Sequence, residues 1–376
     1  MKHTKGFLDA LFGLDMHAAR VESLANGVVG VLSAARLSIH AIGQAYALVA
    51  GTKGKSGIKQ IDRLLSNPGV DVDAIQRRWV EFVLGARKQI VVALDWTEFD
   101  DDDHSTLCAY LLTRHGRATP MVWKTVQKSE LRGQRTGIEH ALIERLHGWL
   151  DADVQVELLA DRGFGDQKLY QLLMLYGWDF AIRFRGNIRV ETAAGEARSA
   201  NDWVPPTGRA LMLRNPTVTD DRAAVPAVVV VHAKGMKEPW CLVTSRKDFT
   251  ASQVVKQYGR RFTIEETFRD TKDLHFGMGL KATHIKKPER RDRMLLLVAM
   301  AHALLTLLGA ASEATGMDAY LKANTVKRRT HSLFRQGCYW YRAIPNMRDD
   351  WLDTLMTAFD RTVREHAVFR EAFGVL

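Results

Sequence analysis

Apolar residues recur at helical spacing from Val21 to Ala50, and the glycine- and lysine-rich stretch Gly51 to Gly57 breaks the run. Lys53, Lys55, Lys59 and Arg63 form a cationic entry to Ile58 through Leu65, which ends at the turn Asn67-Pro68-Gly69. The texture changes at Lys88. Gln89-Ile-Val-Val-Ala-Leu-Asp95 is a short continuous apolar run ending in an acid, as a central strand requires. Thr106 to Arg114 and Pro120 to Lys128 follow as strands between polar turns, which predicts an antiparallel meander. Gly137 to Leu150 has helical periodicity and leads into a strand over Val154 to Asp161. Gly165 to Gly177 then reads as a helix and Asp179 to Arg185 as a strand. Between Asn187 and Ser245 Pro, Gly, Val and Thr prevail, with strands at Val225 to His232 and Trp240 to Thr244, the signature of a β-rich insertion. Thr250 to about Phe276 reads as one helix, capped in the Thr250/Ser252 region and closed near Gly277 and Gly279; the remainder to Leu376 is mostly helical.

The pattern predicts an α/β protein divided into a helical region 1–84, the first part of a core 85–187, a β-rich insertion 188–247, the rest of the core with its long helix 248–310, and a helical region 311–376. A chain of 376 residues is long enough for more than one domain. Its 53 basic against 43 acidic side chains give a net charge of +10, which favours a polyanionic partner, nucleic acid first. Cys108, Cys241 and Cys338 are odd in number and widely spaced, so neither a disulfide framework nor a zinc knuckle is predicted, and a reducing cytoplasm fits. The amino terminus lacks a signal-peptide pattern. The apolar run Met294 to Ala311 is interrupted by His302 and Thr306, and is expected as a buried core helix rather than a membrane span. GTKGKSG is not a phosphate loop, because Val49 stands where the first glycine would be needed.

Two acids close apolar strands: Asp95 in VVALDWTEF and Asp161 in LLADRGFGD. A carboxylate ending a buried strand needs compensation, by a divalent cation where several converge, or by backbone and Arg donors, for which Arg162 is the nearest candidate to Asp161. In the helix containing QYGRRFTIEETFRDTKD, Tyr258, Arg261, Glu265 and Lys272 fall within an arc of roughly 60° at about 100° per residue, while Glu266 lies about 100° away from Glu265. A solvated charged face is the competing explanation of that stripe.

The spacing Tyr-x2-Arg-x3-Glu-x6-Lys resembles the signature of the insertion-sequence transposases of the IS-four group, whose core is ribonuclease-H-like and carries an Asp, Asp, Glu triad. The resemblance covers roughly residues 50 to 310 and matches Asp95, Asp161 and Glu265 to the triad, with the β-rich insertion between the second and third members. It implies a mixed-sheet core; the amino-terminal region, with its cationic segment from Lys53 to Arg63, is expected to bind DNA, and the helical carboxyl-terminal region with its basic patches to bind DNA or to dimerise. It also implies two Mg²⁺ or Mn²⁺ ions held by Asp95, Asp161 and Glu265, which act on the attacking and leaving oxygens. By the same resemblance, hydrolysis frees a 3′-hydroxyl at an inverted-repeat end, that hydroxyl forms a hairpin, and water reopens it before target DNA is attacked, in a synaptic homodimer without membrane involvement. Tyr258, Arg261 and Lys272 would contact phosphates. Trp240 resembles the family's aromatic pocket residue for a flipped base, and Phe262 stands where the best-known relative has Trp.

Further basic groups read as a DNA track: Arg162; Arg183 and Arg185; Lys286, Lys287, Arg290 and Arg291; and Lys327, Arg328 and Arg329 ahead of Tyr339-Trp340-Tyr341. Asp100 to Asp103 with His104 is expected as a solvated turn rather than a second metal site. Two alternatives share the triad or its remains: a ribonuclease-H-like nuclease that joins nothing, and a DNA-binding derivative that no longer cuts.

Overall fold

The computed structural model describes residues 1–113, 116–273 and 278–364. Five helices come first: α1 (Lys2–Phe12), α2 (Ala18–Ala34), α3 (Ile39–Ala50), α4 (Gly54–Ser66) and α5 (Val72–Leu84). The periodic stretch from Val21 to Ala50 is thus two helices. Ala35 takes a left-handed φ of 48°, the axes turn by 100°, and the Ser38 hydroxyl caps α3 by accepting from the Ala41 N–H at 3.1 Å. The breaker Gly51 to Gly57 is only half a linker. Gly51 closes α3 at φ 65°, but Gly54 to Gly57 already belong to α4, where a Cβ on Gly57 would stand 2.2 Å from the Gly43 carbonyl oxygen of α3. Glycine is there for helix contact.

The central unit follows as β1 (Gln89–Phe99), β2 (His104–Leu112), β3 (Ala118–Gln127), α6 (Arg135–Trp149), β4 (Gln155–Ala160), α7 (Gln167–Leu175) and β5 (Asp179–Phe184). The meander β1-β2-β3 is antiparallel, whereas β4 pairs parallel to β1 and β5 parallel to β4. Arg114, the expected last residue of the second strand, lies outside the described residues. The next segment supplies β6 (Arg189–Glu191), β7 (Ala197–Ser199), β8 (Leu211–Arg214), β9 (Thr217–Val218), β10 (Ala223–Ala224), β11 (Ala227–Val231) and β12 (Trp240–Thr244). This β-rich stretch does not stand apart. β12 pairs antiparallel with β5, giving one mixed sheet in the order β3-β2-β1-β4-β5-β12-β11-β8, while β10-β9-β6-β7 form a small second sheet.

After the sheet come α8 (Ala251–Gly259), α9 (Thr263–Lys272), α10 (Pro288–Ala314), α11 (Leu333–Ala343) and α12 (Asp349–Arg364). The helix expected from Thr250 to Phe276 starts as predicted, with Thr250 and Gln253 forming a reciprocal capping box. It does not run through. Arg260 to Phe262 tighten into a 3-10 turn behind Gly259, a poor helix former, and α9 ends at Lys272. The expected closure at Phe276 and Gly277 lies outside the described residues.

Helix α10 is the one described helix long and apolar enough to cross a membrane, and 89% of its apolar window is buried within the protein, so it is the core helix that His302 and Thr306 suggested. It packs against α11 through glycine: a Cβ on Gly309 would stand 1.9 Å from Leu333 O, and one on Gly337 1.8 Å from Leu305 O. It is also tied to the sheet. Trp123 donates its indole N–H to Asp292 O at 3.2 Å, and the Thr125 N–H donates to the Asp292 carboxylate at 2.9 Å.

Candidate active site

Leu94 on β1 registers with Ala160 on β4, and the next residues are Asp95 and Asp161. Parallel pairing therefore sets the two acids side by side where the β1–β4 ladder stops. Asp95 does not end its strand, as the apolar pattern suggested; β1 continues to Phe99 because the hairpin with β2 pairs as far as Phe99 and His104. Asp161 lies just beyond β4, where its Oδ1 accepts the Gly163 N–H at 2.8 Å and caps a short 3-10 turn.

The Arg261 guanidinium closes this group from above. Its Nη1 donates to Asp95 Oδ2 at 2.9 Å, and its Nη2 donates to Glu265 Oε1 at 3.4 Å, one turn further on. Arg261 is buried, Asp95 mostly so, and the Glu265 side chain remains 55% exposed. Burial is the largest influence on Asp95 and lifts it to about 6; Arg261 opposes the shift, and the charge of Asp161 adds to it. Among the described residues no three His, Cys, Asp or Glu side chains stand together as a ready metal cage. In kind, though, the donors suit a hard divalent cation: three carboxylates, with Asp95 and Asp161 adjacent and the ionised form of Asp95 under-compensated.

The stretch expected as one helix is interrupted by the 3-10 turn at Arg260 to Phe262, yet Tyr258, Arg261 and Glu265 stay linked: Arg261 lies 5.9 Å from the Tyr258 ring and donates to Glu265, and both Arg261 and Lys272 reach β1. Tyr258 and Arg261 point inward and are buried, Glu265 faces outward, and Lys272 lies further along β1. The Lys272 ammonium donates to Thr97 Oγ1 at 2.9 Å and to Glu98 O at 2.8 Å, 4.9 Å from the Phe99 ring. Burial, then Lys281, lowers its pKa. Glu266 turns away, paired with Arg269 and, at 3.9 Å, with Arg117.

Trp240, Tyr258 and Phe262 form an aromatic cluster beside Arg261. Ring centroids are 5.1 Å apart for Trp240 and Tyr258 and 5.6 Å for Trp240 and Phe262; Arg261 stands 5.0 Å from the Phe262 ring. Phe262 is 39% exposed, so the cluster opens to solvent. Arg162 is not the partner of Asp161. It pairs with Glu238 at 3.2 Å, as does Arg183 at 2.9 Å, and Arg183 also donates to Pro239 O, which anchors the strand leading to Trp240 next to the Asp161 turn. The Glu238 carboxyl is held below its usual range by Arg183 first.

Several residues expected along DNA are engaged with partners of the protein itself, at its surface or within it. Arg291 is fully buried: it pairs with Asp102, donates from Nε to His104 Nδ1 at 3.0 Å and lies 3.9 Å from the Phe99 ring. Asp102 is therefore a structural anchor rather than part of a solvated turn, and it also accepts the Ile285 N–H at 3.0 Å. Arg290 pairs with Asp62 at 2.7 Å and Arg329 with Glu313 at 2.5 Å. Trp340 is buried, whereas Arg185, Lys286, Lys287, Lys327 and Arg328 are exposed.

Sequence reasoning missed Arg135, Glu139 and Trp96. Trp96 donates its backbone N–H to Asp95 Oδ1 at 2.9 Å and its indole N–H to the buried Glu139 at 2.7 Å, and Glu139 also pairs with Arg135 at 3.2 Å. The Arg-x3-Glu spacing of 135 and 139 repeats that of 261 and 265, but nothing in the sequence links it to Trp96.

A family model described as a transposase DDE domain matches residues 87–304, while a comparison with curated proteins finds no match. The matched span holds β1 through most of α10 and all the residues gathered around Asp95. Members of the family are nucleic-acid-cutting enzymes acting on DNA, generally with divalent metal ions. With more than half of its length matched, the chain belongs to the transposase DDE-domain family.

Proposed function

We propose that the protein is a transposase of the insertion-sequence type that cleaves transposon-end DNA and rejoins it to a target, with Asp95, Asp161 and Glu265 as its catalytic carboxylates. The observation that carries this is the meeting of three distant segments: Asp95 and Asp161 adjacent across β1 and β4, and Arg261 bridging Asp95 to Glu265. The strand order β3-β2-β1-β4-β5, with the first acid on the first strand and the second just after the fourth, supports a ribonuclease-H-like core.

Held by Asp95, Asp161 and Glu265, Mg²⁺ or Mn²⁺ would activate the attacking hydroxyl and neutralise the leaving oxygen, the chemistry of a two-metal site. The chain's own groups do the rest. Asp95 and Asp161 give the site its negative charge, the buried Arg261 orients Asp95 and Glu265 beside the buried Tyr258 ring, and the partly exposed Lys272 ammonium serves as a phosphate contact. Water first frees a 3′-hydroxyl, that hydroxyl attacks the opposite strand to make a hairpin, and a second water reopens it. A hairpin requires an unstacked base, for which the exposed edge of the Trp240, Tyr258 and Phe262 cluster offers a stacking surface. Two copies holding two inverted-repeat ends complete the complex. A strand-transfer assay on a pre-cleaved end separates this from a plain nuclease: joined product is expected, and hydrolysis without joining under any divalent ion would favour the nuclease.

A further inference from the structure

Arg135 opens α6 at the end of the sheet that carries Asp95 and Asp161. Its Nε donates to Glu139 Oε1 at 3.2 Å, and its guanidinium lies 5.1 Å from the centre of the Trp96 ring. The same Glu139 oxygen accepts the Trp96 indole N–H at 2.7 Å, and the Glu139 side chain is only 5% exposed. Cation, ring and buried carboxylate therefore fix one another, and the ring belongs to the residue that follows Asp95. On the other side, a side chain begun at Gly163 would stand 3.0 Å from Asp161 Oδ1 and 3.8 Å from Arg135 Nη2. Gly163 thus lies between the Asp161 carboxylate and the Arg135 guanidinium, where any larger residue would crowd Asp161 Oδ1.

Among the described residues only Nε of Arg135 is engaged, and the side chain is 46% exposed. A guanidinium held by one nitrogen and stacked on an aromatic ring keeps its terminal fork rigid and free, the geometry suited to a phosphate. Its position answers an electrostatic need, because a DNA strand brought over two adjacent carboxylates is repelled by them. We propose that Arg135 is a phosphate-binding residue of this site, with its two Nη nitrogens taking a phosphate oxygen of the strand that crosses Asp161 and with Glu139 holding it in place. This rests on the transposase reading above and adds a DNA contact from α6, outside the signature helix.

The test uses the full chain and a short duplex carrying the DNA that borders its gene, with cleavage rate in Mg²⁺, binding across a salt series, and thermal melting. Arg135→Ala is expected to stay folded with a lower melting temperature, because buried Glu139 keeps the Trp96 indole but loses its cation, to cleave at least about tenfold more slowly at a temperature where it is fully folded, and to bind with a salt slope shallower by about one. Arg135→Lys, which keeps the charge, should recover the slope. An unchanged rate and slope in Arg135→Ala would overturn the proposal, as would a slower rate with an unchanged slope that lysine does not restore, since that is the behaviour of a purely structural residue. Wild-type protein that neither binds nor cuts the duplex would sink the transposase reading and this contact with it. Wild-type cleavage matched by Arg135→Ala sinks this contact alone.

Discussion

Arg261 donates to Asp95 at 2.9 Å and also reaches Glu265 at 3.4 Å, so one buried guanidinium couples two carboxylates that are 170 residues apart in the chain. Arg261→Ala would leave Asp95 mostly buried without its counter-charge. We expect a loss of about 2–4 kcal/mol in stability, less than a fully buried pair would show because Asp95 keeps some solvent contact. Added Mg²⁺ should then raise the melting temperature more in the variant than in the wild type. Urea unfolding with and without Mg²⁺ checks this, and equal stability of the two proteins would mean that the pair does not hold.

How much of this the sequence disclosed depends on the range of the interaction involved. Local signals were sound: the apolar run before Asp95, the strand before Asp161 and the Thr250 cap are set by neighbours in the chain, and each element formed. What was misjudged depends on distant partners. Nothing near Asp95 announces that β1 runs on to Phe99, because β2 decides it. The 3-10 turn at Arg260 to Phe262 divides what the periodicity reads as one helix, and Gly259 is the only local residue that hints at the break. Arg291 looked like one of four surface cations, yet its partners Asp102 and His104 arrive from a hairpin nearly two hundred residues away.

That burial gives Arg291 a different expected behaviour from its exposed neighbours. Arg291→Ala removes one side of a buried pair with Asp102 and should cost roughly 3–5 kcal/mol of stability. Lys286→Ala and Lys287→Ala, both exposed, should leave unfolding unchanged within about 0.5 kcal/mol. Chemical denaturation of the three variants distinguishes anchor from surface; wild-type stability in Arg291→Ala would return it to the DNA-facing group.

Asp292 predicts how stability varies with pH. Burial is the main cause that pushes its carboxyl up to about 7, while the Thr125 N–H favours the charged form. Because its folded pKa lies above the unfolded one, its contribution is complete below about pH 4 and is lost as pH rises through about 7. Asp292→Asn keeps an acceptor for Thr125 and cannot ionise. The variant should be more stable than the wild type at pH 8, by on the order of 2–4 kcal/mol, and the two should converge at pH 4. A wild type that is the more stable at pH 8 would show that the carboxylate is well compensated.

Phe262 is exposed at the mouth of the aromatic cluster, so its removal should spare the fold and affect DNA handling. Phe262→Ala is expected to shift stability by less than about 1 kcal/mol and to slow hairpin formation by about tenfold or more, in line with the loss of one base–ring stack. Trp240→Ala should do the same at a larger cost in stability, because that ring also packs on Tyr258. Hairpin yield on a labelled duplex end reads the difference, and unchanged yield in both variants would remove the cluster from base handling.

The central claim is that Asp95, Asp161 and Glu265 cut DNA, and Asp161 tests it best because its side chain makes a single turn hydrogen bond and no ion pair with the described residues. Binding and cleavage of a duplex end by Asp161→Ala in Mg²⁺ and in Mn²⁺ is the measurement. Binding at least as tight as the wild type with no cleavage in either ion is the predicted result; cleavage at the wild-type rate would contradict it.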